Sequence, residues 1–172
     1  MPLIVEDGTG KPDANSYGSV ADADAYFADR GNGQWAALTT GVKEGSLVQA
    51  TDYIDAYYGD RFIGTKSTIE QALEWPRADA EGYDEFTIPS DLKKATYEYA
   101  YRASKGPLMP DPVYGASGFQ TVTTMEKVGE IQREYAQAGG SSGSTLFRPY
   151  PAADILLKNL LEPYTGGNRV IR

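Results

Sequence analysis

Apolar residues return at three- and four-residue intervals in four stretches of the chain, and this spacing predicts four helices. The first starts after Ser19, where the Ser19 hydroxyl and Asp22 carboxylate can satisfy free backbone donors as a capping box. It runs to about Arg30 with Val20, Ala23 and Tyr26/Phe27 on one face, and Gly31 sits where a left-handed cap belongs. Trp35 to Leu38 reads as a short helical turn that docks an aromatic. The second helix spans Val42 to Tyr58, with Leu47, Ala50/Thr51, Ile54 and Tyr57/Tyr58 on its apolar face, and Gly59 ends it. A third begins at Ile88-Pro89-Ser90, where a proline in the first turn costs no hydrogen bond, and stops at Gly106-Pro107. Leu92, Ala95/Thr96, Tyr99/Ala100 and Ala103 line one face, and Tyr97 and Tyr101 form a second row. Two apolar faces place this helix centrally, or against a neighbouring subunit. The last helix, Pro151 to Pro163, carries Ile155, Leu156/Leu157 and Leu160/Leu161.

Between these helices the pattern changes. Residues Leu47 to Arg77 close on Gln-Ala-Leu-Glu-Trp-Pro-Arg, and Pro76 drives Trp75 out of the helical region. Ser67 to Leu73 reads as a short helix that delivers this tryptophan. Residues 78–87 form an acidic loop. Phe119 to Met125 and Val128 to Tyr135 are rich in β-branched and aromatic residues and predict a hairpin joined near Glu126-Lys127. Residues 139–144 have flexible-linker composition. The expected fold is mainly α, a small bundle of about four helices with an inserted β-hairpin or long loop and extended terminal arms. Within a single domain this gives an arm (1–18), a helical core (19–105), a hairpin and loop (106–149), a C-terminal helix (150–164) and a tail (165–172). The core candidates are Trp35, Leu47, Ile54, Phe62, Leu73, Trp75, Leu92 and Tyr99.

Composition narrows the chemistry. The 172 residues contain no cysteine and no histidine, which removes disulfides, thiolate metal sites and the commonest general base. Gly139 to Gly143 matches G-x-S-x-G, but that motif needs a preceding strand, a following helix and a histidine partner. The carboxylate pairs Asp22/Asp24 and Asp52/Asp55 read as solvated helix faces rather than cation sites. No phosphate-cradling glycine loop is present. The expectation is a protein that is not an enzyme and has no cofactor or metal. No run approaches the length of a membrane helix, and residues 1–7 lack the features of a signal peptide.

Net charge is −8, and it is unevenly distributed. Residues 1–86 hold 16 acidic and 6 basic side chains, while residues 87–172 hold 8 and 10. An acidic balance argues against a broad phosphate-gripping surface, because such binding is driven by Lys and Arg displacing counterions. The tyrosines of the second and third helices stand among Asp52, Asp55, Asp60 and Glu98. This favours a core and interface role over a single-strand groove.

Tyr17–Phe27, Trp35, Leu47–Tyr58, Phe62-Ile63-Gly64, Gln71–Arg77 and Ile88–Ala100 occur in one order, later echoed by Tyr150-Pro151-Ala152-Ala153-Asp154-Ile155-Leu156-Leu157. The succession resembles the head–tail connector adaptor, or head-completion, proteins of tailed bacteriophages. Some phage sequences with the same succession are labelled DnaT-like single-stranded-DNA-binding proteins, the competing assignment. The adaptor resemblance implies a structural virion protein in the neck, made in the host cytoplasm. It implies a dodecameric ring below the portal that extends the DNA channel and docks the tail. The partners implied are further copies of the chain, the portal, and a tail or neck protein. DNA would pass through the lumen without specific binding, and no membrane is involved. Arg169, Val170, Ile171 and Arg172 are the portal contacts that this resemblance suggests.

Overall fold

A computed structural model of the chain describes residues 2–109, 121–127, 132–137 and 150–163. The chain divides into two compact units, Met1–Leu108 with Tyr150–Arg172, and Met109–Pro149. The first is helical: α1 (Val20–Ala28), α2 (Gly33–Ala36), α3 (Thr40–Tyr58), α4 (Ser90–Ala103) and α5 (Pro151–Leu157). Short 3₁₀ turns continue α3 over Gly59–Arg61 and α5 over Lys158–Leu160. The fold is therefore mainly α with an inserted hairpin, as the periodicity implied.

Helix α4 is the axis of this unit, packing against α1, α3 and α5. Its two apolar rows account for that position: Leu92, Ala95, Thr96, Tyr99 and Ala100 are buried, and Tyr97 is buried on the second row. All eight core candidates are buried. Trp75 is fully enclosed, with Phe62 and Tyr83 edge-on at 5.9 and 5.8 Å, and its peptide bond to Pro76 is cis.

The N-terminal segment is extended and docked. Val5 bridges Ser16, and the buried Glu6 carboxylate accepts the backbone N–H groups of Gly8, Gly10 and Lys11 at 2.7–3.0 Å. Those three bonds satisfy donors that a tight loop would otherwise strand. Gly8 has φ +104°, and a Cβ there would lie 1.9 Å from the Phe86 carbonyl oxygen, so side-chain absence is what lets the two loops touch.

Two local expectations are corrected. Ser67–Leu73 is a chain of bends, not a helix. The Gln71 side chain takes the place of helical bonds, accepting from the Thr68 N–H (2.9 Å) and donating to the carbonyls of Leu73 (2.8 Å) and Pro76 (3.0 Å). Strands β1 (Thr65–Lys66) and β2 (Arg77–Ala78) pair antiparallel and close the base of this loop. The second correction concerns the hairpin, which forms the second unit's regular structure. Strand β3 (Thr121–Lys127) pairs with β4 (Gln132–Gln137), so Glu126 and Lys127 are rungs opposite Arg133 and Gln132 rather than the turn. Strand propensity marks which residues pair but not the register, and here charged residues occupy the last rungs. The junction at 128–131 and the G-x-S-x-G run at 139–143 lie outside the described residues.

Candidate nucleic-acid interface

Near the C-terminal end of two helices a tyrosine is followed four residues later by a cation that lies just beyond the helix. At the end of α1 these are Tyr26 and Arg30. The helix is started by Ser19, whose hydroxyl accepts the Asp22 N–H at 3.1 Å, and it is stopped by Gly31 at φ +65°. The Arg30 guanidinium lies 3.5 Å from the Tyr26 ring centroid and donates to the Tyr26 carbonyl at 2.9 Å. At the end of α4 the pair is Tyr101 and Lys105, with the ammonium 3.9 Å from the ring centroid and 2.6 Å from the hydroxyl oxygen.

A shared aromatic floor joins the two pairs. The buried Phe27 ring lies 5.1 Å from Tyr26, 5.5 Å from Tyr101 and 4.9 Å from Trp35. Tyr97 supports Tyr26 from α4 at 5.4 Å. Gly18 lets Tyr97 reach that position, because a Cβ on residue 18 would fall 2.3 Å from its ring. Tyr26 donates to Glu98 at 3.0 Å, which in turn holds Arg102 at 2.6 Å, and the Tyr101 hydroxyl donates to Gln34. Partial burial beside the Glu98 carboxylate pushes the Tyr26 phenol up to about 12, so it stays a neutral donor.

Arg30 and Lys105, like Arg61, Lys93 and Lys158, have no ion pair among the described residues, unlike six other cations. Lys11, Lys43, Lys66, Arg77, Lys94 and Arg102 are each in an ion pair with a carboxylate. Arg30 and Lys105 are exposed and have no carboxylate partner among the described residues. A guanidinium flat on a tyrosine presents its outer face as a stacking surface, and an ammonium beside a second ring offers charge to a phosphate. The sequence pattern marks Tyr97 and Tyr101 as a second row on a helix that is central or set against a neighbouring subunit, and it does not mark Arg30 or Lys105. The repeated aromatic-to-cation i, i+4 spacing was the signal.

Other candidate groups are occupied. A cleft of about 270 Å³ lies beside Asp24, Phe27, Asn32, Trp35 and Lys43. Its polar groups serve one another: Asp24 pairs with Lys43 at 2.9 Å and accepts the Trp35 indole N–H at 2.7 Å, and Asn32 caps the Trp35 amide. Asp154 accepts the hydroxyls of Tyr58 and Tyr99 and the Tyr150 amide, which ties α5 to α3 and α4. Arg77 pairs with Glu74 at 3.0 Å and also donates to the carbonyls of Ile63 and Gly64. Asp52 is exposed, as a solvated helix face requires, but Asp55 is half-buried and is held by Tyr17 and the Glu74 amide. Among the described residues no group of three or more carboxylates could hold a metal ion, and no helix is long and apolar enough to cross a membrane.

Comparison with protein-family models matches residues 1–172 to the family described as "Putative DnaT-like ssDNA binding protein". The chain belongs to this family. The match runs over the whole length and overturns the phage head–tail adaptor assignment, together with the neck, portal and dodecameric-ring description attached to it. Residues 169–172, which the adaptor resemblance assigned to the portal, lie outside the described residues. No curated protein and no solved structure matches this DnaT-like chain significantly.

Proposed function

We propose that the chain is a non-catalytic single-stranded-DNA-binding module whose contact surface is the Tyr26/Arg30–Tyr101/Lys105 face. The observation that carries this reading is two cation–tyrosine pairs over one aromatic floor, with neither cation neutralised by a carboxylate among the described residues. Membership of the DnaT-like family supports it. Bases stack on the ring and guanidinium surfaces, and the backbone phosphates run past Arg30 and Lys105. Stacking tolerates any base, so recognition is of strand form rather than sequence.

The net charge of −8 limits the extent of such a surface. With two phosphates neutralised at about 0.7 counterion each, log Kd should rise with log salt with a slope of about 1.4. Fluorescence anisotropy with a labelled oligothymidylate at low salt tests this directly. The expected result is measurable binding with that shallow slope, abolished in the Arg30→Ala/Lys105→Ala double variant. Tyr101→Ala should lose the ~1–3 kcal/mol that one base stack contributes. Absence of binding at low salt, or full binding by the double variant, would overturn the assignment.

A further inference from the structure

Two adjoining loops, residues 67–70 and 84–87, project apolar side chains into solvent. Phe86 is 66% exposed, the most exposed aromatic ring among the described residues, and Ile69 is fully exposed. The two segments lie side by side, because the Ser67 hydroxyl donates to the Glu85 carbonyl at 3.1 Å. A large apolar side chain left in water forgoes the free energy that burial would give it, and two on adjoining loops mark a contact surface.

Both are held in place. The Asp84 carboxylate accepts the Phe86 N–H at 2.8 Å, and the Phe86 carbonyl sits where a Cβ on Gly8 would lie 1.9 Å away. On one side of it Tyr83 stands edge-on to the buried Trp75 at 5.8 Å, and on the other Ile88 enters the core. Next to Ile69, the Gln71 side chain fixes the Thr68 amide at 2.9 Å. An aromatic presented on a rigid backbone loses little freedom on association, as an interface anchor should.

The surroundings set the charge of the partner. Residues 67–87 contain six carboxylates and one cation, Arg77. Arg77 and Lys66 are both paired with Glu74, and Lys11 is paired with Asp7. Glu70, Asp79, Glu81, Asp84 and Glu85 are exposed and have no cation partner among the described residues. Such a surface repels phosphate, which excludes both a nucleic-acid strand and the anionic face of a bilayer. A second copy, at net charge −8, is repelled as well.

We propose that this surface docks a cationic segment of another protein, one in which lysine or arginine side chains alternate with apolar ones. The apolar side chains pack on Phe86 and Ile69, and the cations face Glu70, Glu81 and Glu85. Apolar contact supplies most of the affinity, while charge sets the rate of approach and the choice of partner. The surface shares no residue with the Tyr26/Arg30–Tyr101/Lys105 face, so docking and strand binding are separable by mutation.

Amide NMR of the full chain, titrated with a short synthetic lysine–leucine peptide, tests the docking. The amides of Ile69, Glu70, Glu85 and Phe86 are expected to shift together, and affinity should fall as salt rises. Affinity should drop by about tenfold or more in Ile69→Ser/Phe86→Ser, and equally for a lysine–serine peptide of the same length. Both substituted residues are exposed, so this variant leaves the core intact. Charge reversal in Glu81→Lys/Glu85→Lys gives a second readout: it should lose the lysine–leucine peptide and gain a glutamate–leucine one. Shifts confined to other amides, undiminished binding by either variant, or equal binding of the lysine–serine peptide would each overturn the proposal. Shifts that grow with protein concentration before any peptide is added would make a second copy the occupant, and that too would overturn it.

Discussion

Trp75 is enclosed on every side, yet its indole N–H finds no hydrogen-bond acceptor among the described residues. Two opposed contributions follow from that. Truncation to Ala removes a large buried ring and should destabilise the protein by roughly 3–5 kcal/mol. Replacement by Phe keeps most of the packing and also deletes the stranded donor, whose burial costs ~1–3 kcal/mol. Urea denaturation should therefore place Trp75→Phe much closer to the unaltered chain than Trp75→Ala. A Phe variant as unstable as the Ala variant would show that ring shape, not the stranded donor, dominates. The carboxylates show a related division of roles. Glu6 and Asp55 are spent on backbone donors inside the fold, whereas Asp22 serves a helix cap at the surface. Glu6, Asp22 and Asp55 look alike in a charge count, which is why spacing alone makes Asp55 a solvated residue.

Helices were legible because apolar spacing is a local property, and the expected apolar faces of α3 and α4 are buried apart from the exposed Tyr57 and half-buried Ala103. The Ser19 cap was legible for the same reason. Replacing Ser19 by Ala should cost about 1 kcal/mol and fray the first turn of α1, measurable as faster amide exchange at Ala21 and Asp22 while α4 is unaffected. What sequence alone did not give was the geometry between elements. The bends at 67–74 depend on Gln71 reaching carbonyls two and five residues away, which no periodicity records. The ladder β1–β2 is two residues long, below the length at which alternation can be recognised. The candidate interface is half visible in the sequence: its tyrosines stand out, but the Tyr26 and Tyr101 rings come onto one floor only when α1 packs on α4 across Phe27.

At the scale of the whole molecule, the helical unit is built from two separate stretches of chain. Leu108 and Tyr150, which end those stretches, meet through a hydrogen bond of 3.3 Å from the Tyr150 hydroxyl to the Leu108 carbonyl. A unit whose ends already touch does not need the intervening residues to fold. Replacing residues 110–149 by a turn of about five residues, a common connection length, should preserve cooperative thermal unfolding of the helical unit. Loss of the transition would mean that the excised stretch holds the core together. The same closure imposes an order in time. Helix α5 supplies Asp154 to Tyr58 and Tyr99, yet it is synthesised only after the ribosome has passed the whole excisable stretch. At roughly 5–20 residues per second that is a delay of several seconds. During this interval the Tyr58 and Tyr99 phenols, 3.1 Å apart, have only each other in place of the Asp154 carboxylate, on a surface that α5 has yet to cover.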